Sequence, residues 1–327
     1  MEEYRRILVT GGMGFIGSNF IRYLLNTHPE YEIVNLDKLT YAGNPENLRD
    51  IEDRTNYSFI KGDICDPETV KEAMRGCDAV VHFAAESHVD RSIENAGEFI
   101  RTDVYGTFVL LERARREGIS KFVQISTDEV YGTISPGKSS KENDPLMPRN
   151  PYSASKAGAD RLAYSYFATY DVPVVITRSS NNFGPYQYPE KLIPLAITNL
   201  LRGKKVPLYG DGRNVRDWLY VTDNCRAIDL VLHKGRVGEV YNVGGGNERE
   251  NIVVIENILE ILHMSKEWIE FVEDRPGHDR RYFLDCTKIQ RELGWTPEEN
   301  FETALRKTVE WYVENKEWWK KLVNNQK

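Results

Sequence analysis

Thr10-Gly11-Gly12-Met13-Gly14-Phe15-Ile16-Gly17 follows the apolar run at 7–10 and opens an amphipathic stretch. A glycine-rich loop between a strand and a helix carries mechanical meaning: Gly11 or Gly12 permits a tight turn, Gly14 lets backbone amides approach a pyrophosphate, and Gly17 lets the helix pack on its strand. The helix N-terminus then faces the anion. Glycines in a loop also serve plain turns, so the weight lies in their place after the first strand. Asp37 ends the second apolar run, about 20 residues on, where a carboxylate accepts hydrogen bonds from ribose hydroxyls and repels a 2′-phosphate. The loop and Asp37 together predict NAD rather than NADP, with the adjacent Lys38 as the one feature pulling the other way.

Short apolar runs at 7–10, 32–36, 57–60, 79–83, 122–126 and 174–178 alternate with helical patterns. That alternation argues βαβ units and a parallel sheet. The expected fold is α/β: a Rossmann-type doubly wound parallel sheet with a smaller α/β substrate-binding lobe. Residues 1–180 read as the NAD-binding domain. Residues 181–327 read mainly as the second lobe, with 222–242 returning to the first as helix then strand. No repeat or low-complexity linker separates the two. Residues 301–322 read as one amphipathic helix whose Trp311, Trp318 and Trp319 pack rather than stack on a ligand.

With 327 residues and 40% hydrophobic content, the chain can bury a sizeable core, and a formal charge of −7 gives no general attraction for nucleic acid or anionic membrane. The four cysteines lie far apart without Cys-x-x-Cys spacing, which predicts free thiols and a reducing cytoplasm. The first six residues lead into a strand, with no signal-peptide pattern, and no run of about 18 apolar residues follows. The six histidines show no His-x-x-x-His or His-Glu-x-x-His pairing, so no structural metal is expected.

Chemistry concentrates further along. Thr127-Asp128-Glu129 ends the fifth apolar run, ahead of Tyr152-Ser153-Ala154-Ser155-Lys156. Tyr-x-x-x-Lys puts both side chains on one helix face, where Lys156 can lower the phenol pKa of Tyr152 from about 10. The spacing alone is worth little, since Tyr57 with Lys61 and Tyr312 with Lys316 share it. Only Tyr152 opens a small-residue helix downstream of an acidic strand end. Adjacent acids are ordinarily a solvated turn or a cap, but the carboxyl ends of parallel strands are where open α/β sheets bind ligands. Two neighbouring carboxyls in a desolvated site push their pKa values apart, leaving one as acid and one as base. Elimination of water needs such a pair.

The strings TGGMGFIGSNF, LDKLTYAGN, GDICD, FAAESHVDRS, STDEVYG, PYSASKAGAD, SNNFGPYQYPEKLIP, RDWLYVTD and DRPGHDRRY resemble the dTDP-glucose 4,6-dehydratase family, of the extended short-chain dehydrogenase/reductase superfamily. The resemblance runs from about Arg5 to the C-terminal region. The glycine loop and Tyr-x-x-x-Lys indicate only the superfamily, whereas Thr-Asp-Glu and the string Asp274-Arg275-Pro276-Gly277-His278 are more specific. The connection between Tyr131 and Tyr152 is short beside longer forms of the family.

The resemblance implies NAD-dependent oxidation at sugar C4, loss of water across C5–C6, and hydride return to C6. Thr127, Asp128, Glu129, Tyr152 and Lys156 would carry it. Cofactor contacts would come from Gly11, Gly14, Phe15, Ile16, Gly17, Asp37, Lys38, Leu39, Thr40, Asp63, Ile64, Phe83, Ala84, Ala85, Thr102 and Asn182, together with Tyr152 and Lys156. The sugar nucleotide would meet Ser87, Thr127, Asn181, Lys191, Leu192, Arg216, Asn251 and the string from Asp274 to His278. Lys191 and Arg216 suit a diphosphate because both stay charged. The resemblance also implies a homodimer through the amphipathic stretches 92–116 and 154–170, with burial of those stretches inside one subunit as the alternative that the sequence leaves open. His82 and His88 read as scaffold residues.

Three rivals stand beside this reading. A sugar-nucleotide 4-epimerase needs NAD, Tyr and Lys but no acid/base pair for C5 and C6. A UDP-glucuronate decarboxylase would need to recognise a C6 carboxylate. A catalytically idle NAD-binding scaffold would not need the acids at all. The sequence does not choose dTDP over UDP, and UDP-glucose stays open as the substrate of a sister dehydratase.

Overall fold

The computed structural model describes residues 4–324; Met1–Glu3, within the expected leading segment, and the last three residues lie outside the described part. Seven parallel strands form the main sheet: β1 (Arg6–Thr10), β2 (Glu32–Asp37), β3 (Tyr57–Lys61), β4 (Ala79–His82), β5 (Lys121–Thr127), β6 (Val174–Ser179) and, from far along the chain, Val240–Val243. The central strands are buried along nearly their whole length, so they read as continuous apolar runs rather than alternating ones. Helices cover both faces. Phe15–Thr27 and Val221–Lys234 bury Phe20, Ile21, Leu24, Ile228 and Val231 on one side. Pro67–Met74, Thr107–Glu117 and Pro151–Tyr170 bury Val70, Leu110, Leu111 and Ala163 on the other.

β1 lies between β2 and β4, so the winding direction reverses there. The loops leaving the carboxyl ends of β1 and β4 diverge and open a crevice. Their contents are the glycine loop after Thr10 and the segment after His82. β5 follows β4 in register, and Thr127 at its end pairs with Ser179 of β6.

The smaller lobe adds β7 (Asn181–Phe183), β8 (Val206–Tyr209), β9 (Val215–Tyr220) and, with Val240–Val243 taken as β10, β11 (Glu248–Glu250) and β12 (Ile269–Val272). A three-stranded sheet runs β11-β9-β7 and a two-stranded one β12-β8. A separate core of Ile197, Trp218, Ile255, Leu305 and Tyr312 holds this lobe together. The terminal amphipathic stretch breaks at Asn315 into helices Phe301–Glu314 and Lys316–Asn324, correcting the single helix expected. The Asn315 amide donates to the Trp311 carbonyl at 2.8 Å, and the turn lets the Trp319 indole reach the Tyr312 carbonyl at 2.8 Å.

One buried ion pair joins three elements of the main domain. The Arg178 guanidinium on β6 donates to both Asp160 oxygens at 2.9 and 3.0 Å, and to the Tyr131 hydroxyl at 2.7 Å. Both charged partners are essentially solvent-free. The pair ties helix Pro151–Tyr170 and the turn Asp128–Tyr131 to a single strand.

Candidate active site

The crevice is one continuous cavity of about 880 Å³. Its floor comes from the main sheet and its far wall from the smaller lobe. Gly11, Gly14, Phe15, Ile16, Gly17, Asp37, Lys38, Thr40, Asp63, Ile64, Phe83, Ala84, Ala85, Thr102 and Asn182 line one end. Ser87, Asn181, Lys191, Leu192, Arg216, Asn251, Arg275, Gly277 and His278 line the other, with Thr127, Asp128, Glu129, Tyr152 and Lys156 between.

Three expected contacts do not line it. Leu39 has φ of +57° and its side chain packs against the main core instead. Asp274 and Pro276 are exposed to solvent. Asp274 stands behind the wall, its Oδ1 2.6 Å from His278 Nδ1.

The dinucleotide end passes a physical test of fit. Gly11 is the residue of the turn, with φ of +71°, and a Cβ there would sit 2.6 Å from the Ala84 nitrogen. A Cβ on Gly17 would lie 2.3 Å from the Gly11 carbonyl oxygen, so only glycine lets helix Phe15–Thr27 approach the loop. Gly14 caps that helix with no side-chain acceptor for its first amides, which leaves them suited to an anion. Asp37 accepts from the Met13 and Leu39 amides at 2.9 and 2.7 Å, which holds its carboxylate at the rim although burial raises its pKa. Lys38 is paired with Asp63 at 2.8 Å, so its charge is already engaged.

At the centre, β5 runs into a tight 3₁₀ turn, Asp128–Tyr131, capped by Thr127. The Thr127 hydroxyl accepts from the Glu129 amide at 3.3 Å and donates to Asp128 Oδ1 at 3.2 Å. Asp128 is buried, and its Oδ2 has no protein partner. Burial, then the neighbouring Glu129 charge, hold the Asp128 carboxyl well above its ordinary range. Burial also raises Glu129, but Arg216 and Lys191 oppose it. The two acids are therefore pushed apart, with Asp128 the one that keeps its proton.

Helix Pro151–Tyr170 starts where it does because Asn150 and Ser153 form a reciprocal cap and Pro151 occupies the first turn. That fixes Tyr152 at the cavity and Lys156 one turn on. The Lys156 ammonium donates to the Ile125 carbonyl at 2.7 Å, and burial lowers its pKa. The expected lowering of the Tyr152 phenol is outweighed: burial raises it, as do the charges of Glu129, Asp103 and Asp128, while a Thr127 hydrogen bond opposes them. Protonation of Asp128 removes one of the three charges that raise it. Asp103, on the π-wound turn Ile100–Gly106, is raised to about 6 by burial and accepts from Ser155 Oγ at 2.5 Å and the Glu86 amide at 2.8 Å.

On the opposite wall the Arg216 guanidinium lies 4.4 Å over the Tyr282 ring and donates to the Val215 and Asp279 carbonyls. Arg275 lies 4.6 Å over the Tyr209 ring. The Lys191 ammonium meets the Ser87 carbonyl at 2.5 Å. Side-chain oxygens of Asn181, Asn182 and Asn251 have no protein partner there, and such buried groups point to a polar ligand. His82 bridges the Thr10 and Thr107 hydroxyls from inside the core, and His88 caps helix Val89–Glu94.

Sequence reading missed Asn150, whose side chain also hydrogen-bonds Glu129, and the aromatic supports Tyr209 and Tyr282. Asn150 carried a usable signal, the cap position before Pro151. The tyrosines carried none, because they reach the arginines only through tertiary packing.

Comparison with known proteins adds names to this geometry. Residues 8–308 match the model of the family described as GDP-mannose 4,6 dehydratase. A dTDP-glucose 4,6-dehydratase of Streptomyces niveus is 53% identical over 97% of this chain and 95% of its own. The crystal structure of dTDP-glucose 4,6-dehydratase from Bacillus anthracis in complex with NAD superposes with a TM-score of 0.92 at 53% identity, covering 97% of this chain and 99% of that one. The enzyme of the same name from Streptomyces venezuelae, with NAD and dTDP bound, gives a TM-score of 0.95 at 51% identity over 97% and 99% of the two chains.

Proposed function

This chain belongs to the GDP-mannose 4,6 dehydratase family, and from that membership we propose that it is an NAD-dependent dTDP-glucose 4,6-dehydratase, yielding dTDP-4-keto-6-deoxyglucose. The observation that carries the proposal is the pair Asp128 and Glu129 beside Tyr152 and Lys156 in one cavity, with Asp128 Oδ2 buried and unpartnered. A 4-epimerase needs the second pair of residues and has no use for the first.

NAD would be held by the Gly11, Gly14 and Gly17 loop, with Asp37 at the ribose, and supplies the acceptor of the C4 hydride and its later donor to C6. Tyr152 takes the C4 hydroxyl proton, with Thr127 and the Lys156 charge assisting. The ketone formed at C4 acidifies the C5 hydrogen. Glu129 removes that proton while Asp128 gives its own to the departing C6 hydroxyl, so one water leaves. Glu129 then returns the proton to C5. Each general acid or base step contributes about two to four powers of ten. Arg216 and Lys191 face the diphosphate, and Arg275 and His278 the nucleoside end. Residues 1–180, with 222–242, would serve the cofactor, and the rest of 181–327 mainly the sugar nucleotide.

Turnover of dTDP-glucose to a product lighter by one water, with UDP-glucose turned over poorly, supports the assignment. Preference for UDP-glucose would replace the substrate.

A homodimer is part of the same proposal. Ile100, Tyr105, Phe108 and Tyr164 are exposed on the stretches 92–116 and 154–170, a set of apolar side chains suited to a second copy. Sedimentation at twice the chain mass supports it, and a monomer refutes it. Among the described residues no helix is long and apolar enough to cross a membrane, and all four cysteines are free; the free thiols support the proposed cytoplasmic setting.

A further inference from the structure

We propose that His28, Asp229 and His233 form a binding site for a divalent late first-row transition-metal ion, with zinc as its representative. The site stands apart from the dehydratase chemistry. Helix Phe15–Thr27 begins at the cofactor loop and ends at His28, and 13 residues at 1.5 Å each put the cluster about 20 Å from that loop. His233 lies in the last turn of helix Val221–Lys234, so the cluster sits at the C-terminal ends of two helices. Both macrodipoles favour a cation there.

The donor set suits such an ion. Asp229 Oδ1 lies 3.1 Å from His28 Nε2 and 3.1 Å from His233 Nδ1. All three donors lie within 4.8 Å of one another, and tetrahedral ligands at the usual zinc distances stand about 3.3 Å apart. Two imidazoles and one carboxylate are a donor set that zinc and its neighbours accept, with a coordination position left for water.

The second nitrogens are also placed as metal-bound histidines require. His233 Nε2 is 2.8 Å from the Tyr31 hydroxyl, and His28 Nδ1 is 3.7 Å from Glu30; such outer partners fix tautomer and ring orientation. The His28 and His233 rings lie 4.9 Å apart. His28 is 22% exposed while Asp229 and His233 are 12% and 7%, which gives an entry path from one side. His233 Nδ1 also lies 2.8 Å from the Asp229 backbone carbonyl. Metal binding at Nδ1 requires the ring hydrogen on Nε2, where the Tyr31 hydroxyl at 2.8 Å accepts it. The i,i+4 pair Asp229 and His233 was legible in the sequence, but His28 joins them from far along the chain. A search for paired histidines therefore passed over it.

The test is a calorimetric titration of chelator-stripped, full-length protein with zinc chloride, repeated on three variants. The proposal predicts one equivalent bound by the parent and a loss of at least about 100-fold in affinity in His28→Gln and His233→Gln. Tyr31→Phe should lose about 10- to 100-fold. His28→Gln changes the most exposed of the three side chains, so it keeps the test valid if His233→Gln fails to fold. Cobalt(II) added to the parent should give the visible absorption of a four-coordinate site, and His28→Gln should abolish it. Absence of saturable binding overturns the proposal. Undiminished affinity in His28→Gln does so as well, because the ion is then held elsewhere.

Discussion

Replacing Asp128 with asparagine isolates one step of the proposed reaction. Asparagine has almost the same shape, and its carbonyl oxygen can still accept from Thr127, which donates to Asp128 Oδ1 at 3.2 Å. The change falls on Oδ2, the buried atom without a protein partner. There a proton donor becomes an amide, which can hydrogen-bond the C6 oxygen but cannot protonate it. Loss of a general acid slows its step by about 100- to 10,000-fold, or roughly 3–5 kcal/mol of barrier. Oxidation at C4 depends on Tyr152 and should keep most of its rate. Rapid mixing with dTDP-glucose should therefore show fast absorbance of reduced cofactor that persists, while release of dehydrated product lags by that factor. Asp128 already holds its proton, so the substitution changes no charge beside Glu129 and stability should not fall. Full turnover by Asp128→Asn, or equal slowing of oxidation and elimination, refutes the assignment of Asp128 as the acid.

Other expectations follow from the same geometry. Turnover should be bell-shaped in pH, lost on the acid side as Glu129 gains a proton and on the alkaline side as Asp128 loses one. Burial raises both acids, so both limbs should lie above the ordinary carboxyl range, and Asp128→Asn should flatten the alkaline one in a kcat–pH profile. Tyr152→Phe should abolish formation of reduced cofactor, measured by the same rapid mixing, while leaving NAD binding intact. NAD should bind at least about tenfold more tightly than NADP, a difference of about 1.4 kcal/mol, and Asp37→Asn should narrow that gap in a fluorescence titration. Asp160→Ala strands the buried Arg178 charge and should cost about 3–5 kcal/mol in urea denaturation.

Local pattern carried the main sheet and the centre of the site. The glycine loop declared a strand, a turn and a helix at once, because steric demands on Gly11 and Gly17 are local. Thr127, Asp128, Glu129, Tyr152 and Lys156 meet in one cavity because strand ends and helix starts are themselves set by nearby residues, Asn150 and Pro151 among them. What escaped was the direction in which packing turns each side chain. Leu39 turns inward through a left-handed backbone, Asp274 bonds His278 four residues on but from outside the wall, and Tyr209 and Tyr282 support arginines from other segments. The phenol of Tyr152 was misjudged for the same reason. Spacing shows Lys156 but not the burial and the three carboxylates that outweigh it. The terminal helix breaks at Asn315, whose amide bonds the Trp311 carbonyl while the Trp319 indole bonds that of Tyr312, contacts that periodicity does not register.

The most direct measurement is mass spectrometry of dTDP-glucose carrying deuterium at C4 after incubation with the purified protein and trace NAD. The account predicts loss of one water with the deuterium recovered at C6 of the same molecule. Unchanged mass with inverted configuration at C4 would contradict it and make the protein an epimerase.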